Sequence, residues 1–245
     1  MENDRRNVIG GYFELELHKD KEYHENAICL NTGRNAFEYV LRARNYNKVY
    51  LSYYICDTLF EPIKKLDLDY DLYHINKSFE PIFAFSKLQP QEVFVYVNYF
   101  GICDKQVKKI SAKCTSLIVD NSQAFFARPV NYADTFYSPR KFFGLPDGAY
   151  LYSDKKLCIK IKQDSSFKRM EHLIGRLDVG AEKYYQSFRK NSALLIGQPI
   201  KKMSNLTHCI LRSIDYPTIA RIRKMNFSFL SSALRDTNQL KININ

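Results

Sequence analysis

Within residues 33–46 the apolar side chains Ala36, Phe37, Val40 and Leu41 recur at helical spacing, with Arg34, Glu38 and Arg42 between them. That spacing predicts an amphipathic helix. Residues 48–53 (KVYLSY) are short and rich in β-formers, the composition of a strand. Residues 55–66 return to helical spacing, and Pro62 must sit at a kink or near an end because it has no N–H to donate. Residues 70–75 (YDLYHI) alternate like a strand, and residues 92–97 (EVFVYV) are almost continuously apolar, as expected of a strand buried on both faces. A polar helix carrying Val107 and Ile110 is predicted over 103–113, followed by another buried strand at 116–120 (SLIVD) and two more at 135–137 and 149–152.

Strands alternating with helices imply βαβ crossovers and an α/β fold around a mostly parallel sheet. In such sheets ligands bind beyond the carboxyl ends of the strands. Asp120, Ser138 and Lys141 all fall at or just after predicted strand ends, which directs them toward one shared site. After Lys155 the pattern turns helical. Residues 165–190 read as one long charged helix with Phe167, Met170, Leu173, Ile174, Leu177 and Tyr184 as its apolar positions. Gly197-Gln-Pro199 is the best candidate linker, and a last helix runs from Asp215, an N-cap ahead of Pro217, to Leu234. The expected organisation is therefore a large domain over 1–196, then a linker and the start of a second unit over 197–245.

At 245 residues the chain has room for one large domain, or one domain and part of another. An apolar share of 45% is enough for a buried core, while no apolar run approaches the length that spans a bilayer. The opening Met1-Glu-Asn-Asp-Arg-Arg lacks the apolar stretch of a signal peptide, so a cytoplasmic, membrane-free protein is expected. Six cysteines lie far apart without a C-x-x-C pair, and five histidines show no metal-binding spacing; no metal site is expected. The net charge of +11 is uneven: residues 155–245 hold 18 Lys and Arg against 6 Asp and Glu, while the first 154 residues come to −1. Attraction to a polyanion is one reading. Without a nucleic-acid motif in that region, solvated helix faces carrying Lys160, Lys162, Lys168, Arg169, Arg176 and Lys183 are the favoured one, and no nucleic-acid partner is expected.

Two residue types then suggest chemistry. A carboxylate at a strand end (Asp120) and a lysine after the next strand (Lys141) are what pyridoxal phosphate requires. The lysine supplies an imine to the cofactor, and the carboxylate keeps the pyridine nitrogen protonated so the ring accepts electrons. Asn31-Thr-Gly33-Arg-Asn35-Ala36 places a glycine at a helix start, where free N–H groups and the helix dipole suit a phosphate. Each feature has a plainer reading as well: a helix cap at Thr32-Gly33, a turn cap at Asp120, surface decoration at Gln123, a surface lysine at 141. The S-x-x-K spacing of Ser138 and Lys141 also occurs in acyl-transfer serine enzymes, but Pro139 and the flanking β-formers argue against the helix that chemistry needs. Phe142 and Phe143 suggest an apolar setting for Lys141, which would favour its reactivity.

The sequence resembles the DegT/DnrJ-type sugar aminotransferases, members of the aspartate-aminotransferase-like (fold type I) pyridoxal phosphate superfamily, from Gly10-Gly-Tyr-Phe-Glu-Leu to about Leu234. Asn31-Thr-Gly-Arg-Asn-Ala resembles the family's phosphate loop, and Val97-Asn-Tyr-Phe-Gly101 its strand followed by Y/F-G. Ile118-Val-Asp120-Asn-Ser-Gln123 is similar to the D-x-x-Q/H signature, and Tyr137-Ser138-Pro-Arg-Lys141 with Pro-Asp-Gly148 to the S-x-x-K segment and its trailing glycines. Arg221-Ile-Arg-Lys-Met-Asn226-Phe is similar to the helix that leads into the small domain.

The resemblance implies a three-layer α/β/α sandwich and pyridoxal 5'-phosphate as cofactor. It implies Lys141 as the lysine that holds the cofactor and shuttles the proton, Asp120 against the pyridinium nitrogen, and Gln123 near the ring. Thr32, Gly33, Arg34 and Ser138 would hold the phosphate. Tyr54, from Ser52-Tyr-Tyr-Ile-Cys56, would stack on the ring, although the family's usual proline and aromatic fall near Ser52 and Cys56. The implied reaction moves an amino group from glutamate to a nucleotide-linked keto sugar for surface polysaccharide, in a homodimer whose active sites form between subunits. A related branch carries histidine at the lysine position and dehydrates instead; Lys141 speaks against it. Family members are considerably longer, and the expectation is a small C-terminal domain largely missing. That leaves two readings open, an aminotransferase that is incomplete or a non-catalytic remnant or binding module that keeps the fold.

Overall fold

Along β5 (Glu92–Val97) the side chains alternate from Val93 to Tyr96: Val93 and Val95 enter one core cluster and Phe94 and Tyr96 another, which Val97 joins at the strand end. Its neighbour β6 (Leu117–Asp120) does the same, with Ile118 on the first side and Leu117 and Val119 on the second. Such strands must be covered on both faces, which is why their sequences are continuously apolar. The computed structural model describes residues 11–238. Gly10, where the resemblance begins, and the opening Met1-Glu-Asn-Asp-Arg-Arg lie outside the described residues.

Eight strands form one sheet in the order β1-β8-β7-β6-β5-β2-β3-β4, with β1 at Ile28–Leu30, β2 at Lys48–Ser52, β3 at Asp69–Ile75, β4 at Pro81–Ile82, β7 at Asp134–Tyr137 and β8 at Ala149–Tyr152. The pairings from β7 through β6, β5 and β2 to β3 are parallel, and β1, β8 and β4 join antiparallel at the flanks. Helix α1 (Gly33–Arg44) and α2 (Phe60–Lys65) cover the Val93 face, contributing Phe37, Val40, Leu41 and Ile63. Helix α3 (Asp104–Ser111) covers the other with Val107 and Ile110. The result is the expected three-layer α/β/α sandwich. Pro62 lies in the first turn of α2, where its missing N–H has no intrahelical partner to lose.

The helical half differs from its expected form. The single helix expected over 165–190 is two, α4 (Glu171–Asp178) and α5 (Tyr185–Leu194). They part at Gly180, whose φ of 120° is open to glycine and strained for other residues. A helix missing from the sequence reading, α6 (Asn205–Arg212), is capped by the Ser204 hydroxyl and packs Leu211 against Tyr137 and Tyr150 in a third cluster. Helix α7 (Tyr216–Ala233) begins at the expected N-cap, Asp215, which accepts from the Thr218 N–H. Arg169 is not on a solvated face. It is paired with Asp147 and Asp164, both buried, while Lys160, Lys162, Lys168, Arg176 and Lys183 are exposed. Among the described residues no helix is long and apolar enough to cross a membrane.

His24 is locked into the third cluster, 3% exposed, between the rings of Tyr137, Phe125 and Tyr150. Its Nε2 lies 2.9 Å from the Phe125 carbonyl, to which it donates, and its Nδ1 lies 3.1 Å from the Tyr152 hydroxyl, from which it accepts. Burial lowers its pKa to about 4, opposed by the Phe125 carbonyl. The folded state therefore holds the neutral ring, while the unfolded chain takes up the proton near its ordinary value. This contribution to stability is complete above about pH 6.5 and is lost as pH falls toward 4, amounting to about 3 kcal/mol. Urea unfolding across this window is expected to show that loss in the wild type and a flatter profile in His24→Gln. An unchanged slope in the variant would assign the acid sensitivity to other groups.

Candidate functional site

Because β5, β6 and β7 run parallel, their carboxyl ends open on the same edge of the sheet. Asp120 is the last residue of β6, in register with Val97 on one side and Phe136 on the other. The chain turns sharply after it. The Ser122 N–H donates to Asp120 Oδ1 at 2.8 Å, Asn121 N–H to the Phe136 carbonyl at 2.9 Å, and Ala124 N–H to the Asn121 carbonyl at 2.9 Å. Asn98, just beyond β5, donates from Nδ2 to Asn121 Oδ1 at 3.1 Å and to Asp104 Oδ1 at 2.8 Å. This network fixes the carboxylate from two strand ends.

On the opposite wall, Thr32 caps α1, its hydroxyl accepting from the Asn35 N–H at 3.2 Å. A Cβ built on Gly33 would lie 3.7 Å from the Ser138 Cβ and 3.9 Å from the Ser122 Oγ, so the helix start faces both turns closely. Asn31 and Asn35 donate to the Pro199 carbonyl at 3.1 and 2.8 Å, and the Lys201 N–H donates to Asn31 Oδ1 at 3.2 Å. Thus the Gly197-Gln-Pro199 break leads into a segment that buttresses the loop before α1. The Gly148 N–H donates to the Asn31 carbonyl at 2.7 Å, at a φ of 113° where an added methyl would meet Thr207 at 3.0 Å. The Pro-Asp-Gly turn is thereby stitched to the same loop.

Lys141 ends a short 3-10 turn, Pro139–Lys141, directly after β7. These pieces enclose a cavity of about 420 Å³ lined by Thr32, Gly33, Arg34, Asp120, Ser138 and Lys141, with Arg140, Ser122, Asn31, Cys56 and the α5 residues Phe188 and Ser192 completing it. Six of the eight sequence-derived candidates therefore meet at one place. Gln123 and Tyr54 do not line the cavity. Gln123 Oε1 accepts from the Phe100 N–H at 2.9 Å, and Tyr54 stacks on Tyr99 with ring centroids 5.6 Å apart. The residue of the 52–56 segment that reaches the cavity is Cys56.

Burial pushes the Asp120 carboxyl above the usual carboxylate range, opposed by hydrogen bonds from Ser122 and by the positive charge of Lys141. A cation arriving beside Asp120 would reverse that effect and fix the carboxylate as an anion. The apolar enclosure expected around Lys141 does not form. Phe142 and Phe143 pack with Phe125 and Phe126, and Lys141 is exposed. Chemically the cavity joins a primary amine, a buried carboxylate and an anion-attracting end made of hydroxyls, a helix N-terminus and guanidinium groups.

Sequence reasoning missed contributors that only the fold brings in. Arg140 and Ser192 were invisible as site residues because α5 meets the Pro139–Lys141 turn only in three dimensions. Elsewhere, Glu22, Cys29 and His208 come together from segments too distant for any spacing rule. Glu22 there accepts from Tyr150 at 2.6 Å, meets His208 at 2.7 Å, and lies 3.4 Å from the Arg212 guanidinium.

No protein-family model matches the chain. No curated protein matches it either. Solved structures do match. A PLP-bound protein assigned as an aminotransferase, from Clostridium difficile 630, is 12% identical with a TM-score of 0.51, over 90% of this chain and 59% of that one. The 3-amino-5-hydroxybenzoic acid (AHBA) synthase is 17% identical with a TM-score of 0.50, over 85% of this chain and 56% of that one. The sugar aminotransferase CalS13 from Micromonospora echinospora aligns over 51% of this chain and 41% of its own, at 14% identity and a TM-score of 0.39. The chain spans less than two thirds of the length of each of these structures. At such identities the likeness establishes architecture alone: this chain shares the α/β/α fold of the AHBA synthase and Clostridium difficile structures.

Proposed function

We propose that this chain is a pyridoxal-phosphate-dependent aminotransferase-like protein that moves an amino group from glutamate to a nucleotide-linked keto sugar in surface polysaccharide biosynthesis. The observation that carries this reading is the shared cavity of Asp120 and Lys141, a buried carboxylate and a lysine amine, with an anion-binding end at Gly33 and Ser138. The donor set suits the cofactor's three handles: an aldehyde, a basic ring nitrogen and a phosphate.

When bound, pyridoxal phosphate supplies the electron sink that makes the carbon bearing the amino group acidic. The Lys141 amine would be the residue that holds the cofactor, and its nitrogen would carry the proton to and from that carbon. The Asp120 carboxylate, whose position is set by the Ser122 N–H, would keep the cofactor's ring nitrogen protonated. The Thr32 and Ser138 hydroxyls and the first N–H groups of α1 orient the phosphate. Exposed apolar side chains on α4 and α5, among them Ile174, Leu177, Tyr185 and Leu194, support a homodimer, since a monomer rarely leaves so many uncovered. Sedimentation equilibrium should then give twice the chain mass, and a monomer at micromolar concentration would remove the dimer from the proposal.

Purified protein with added pyridoxal phosphate is expected to show a visible band that borohydride fixes covalently to Lys141, located by peptide mapping. Lys141→Ala should lose the band and keep the fold by circular dichroism; a band that persists would sink the lysine assignment. Asp120→Asn should retain the band while amino transfer from glutamate slows by about 100-fold or more, the scale of losing one preorganised electrostatic partner. Undiminished transfer in that variant would remove Asp120 from the mechanism.

A further inference from the structure

Two arginines, Arg34 and Arg140, line the cavity, a third, Arg169, acts on Arg140 through its charge, and the three charges are not equally committed. Arg34 is bound to Glu61, and that carboxylate also accepts from the Gly197 N–H at 2.7 Å. Arg169 is held between Asp147 and Asp164. Arg140 has no carboxylate partner among the described residues. Its guanidinium donates to the Ser192 hydroxyl at 3.1 Å and lies 5.9 Å from the Phe188 ring centre, both on α5.

The carboxylate that acts on Arg140 from a distance is Asp147, already taken by Arg169 and by the Thr207 hydroxyl. Burial, together with the charges of Arg34 and Arg169, presses the Arg140 pKa downward despite Asp147. A half-buried cation without a counter-ion is destabilising, and a protein keeps one where an anion arrives to complete it. Arg140 lines the same cavity as Thr32, Gly33, Ser138 and Lys141.

We propose that Arg140, rather than Arg34, is the counter-ion of the cofactor's phosphate and sets the preference for the phosphorylated cofactor over its dephosphorylated form. This inference rests on the cofactor reading above and adds to it a residue and a division of labour. The helix start and the Ser138 and Thr32 hydroxyls shape the phosphate site without full charge, and Arg140 supplies the charge. A charge-assisted contact of this kind is worth roughly 10- to 100-fold in affinity.

The test compares pyridoxal 5'-phosphate with pyridoxal, read by the visible band on titration, in wild type, Arg140→Gln, Arg140→Lys and Arg34→Gln. Arg140→Gln is expected to weaken pyridoxal phosphate by about 10-fold or more while leaving pyridoxal unchanged, so that the wild-type preference collapses. Arg140→Lys should recover part of it, and Arg34→Gln should lose less than Arg140→Gln. Equal weakening of both ligands in Arg140→Gln, or an unchanged preference, would overturn the assignment. So would a larger loss in Arg34→Gln.

A second readout separates this inference from the cofactor reading. Inorganic phosphate should raise the melting temperature of the wild type and fail to raise that of Arg140→Gln. Arg140-dependent stabilisation by phosphate without any visible band would preserve the anion site and refute the cofactor reading. A band in the wild type whose phosphate preference ignores Arg140 would refute the present inference alone. Neither band nor stabilisation would refute both.

Discussion

The parallel register of β6 between β5 and β7 is the constraint on which the site depends. Val97, Asp120 and Phe136 lie side by side across three strands, so the carboxylate emerges where the sheet ends and the chain must turn. Side chains alternate between faces along a strand, so a slip of one residue would drive Val119 out of the second core cluster and Ile118 out of the first. The apolar sequence of β6 thus fixes the position of a polar atom. The turn that follows is held from the neighbouring strand end by Asn98, and Gly101 closes the turn after β5. With a φ of 72°, a Cβ on Gly101 would lie 2.8 Å from the Gln123 carbonyl, so glycine is needed for the two turns to approach.

Much of this was legible in the sequence because it follows from short-range patterns. The continuous apolar runs EVFVYV and SLIVD, the helical period after Gly33 and the capping residues Thr32 and Asp215 are local signals, and each one led to the right element. Asp120, Ser138 and Lys141 could be gathered into one place because strand ends in a parallel sheet share an edge. What was not legible depended on contacts between distant segments. The charge and apolar pattern of 165–190 contains no proline, so one helix was the natural expectation, while the left-handed turn at Gly180 is decided by how α4 and α5 pack. Arg169 looks like any basic residue on a helix face until Asp147 and Asp164, buried by unrelated packing, meet it.

The same limit explains Lys141. Two aromatic neighbours in sequence suggest an apolar surround, yet adjacent residues on a tight turn point in different directions. Phe142 and Phe143 are drawn to Phe125 and Tyr216 by the third core cluster, leaving the lysine on the open side. A reactive amine at this position must therefore obtain its setting from what fills the cavity. That is consistent with a pocket whose charged groups are held ready but only partly neutralised by one another.

Two groups in the cavity lining have their charged forms disfavoured by burial. One is the Asp120 carboxylate, partly offset by the charge of Lys141. The other is the half-buried Arg140 guanidinium, pressed further by Arg34 and Arg169. Asp120 and Arg140 line the same cavity, one at the end of β6 and the other on the turn after β7, yet they form no ion pair with each other. A molecule with a basic nitrogen at one end and a phosphate at the other would satisfy both groups at once. Their presence in one cavity lining therefore favours a ligand that offers a cation to Asp120 and an anion to Arg140 over one that offers either alone.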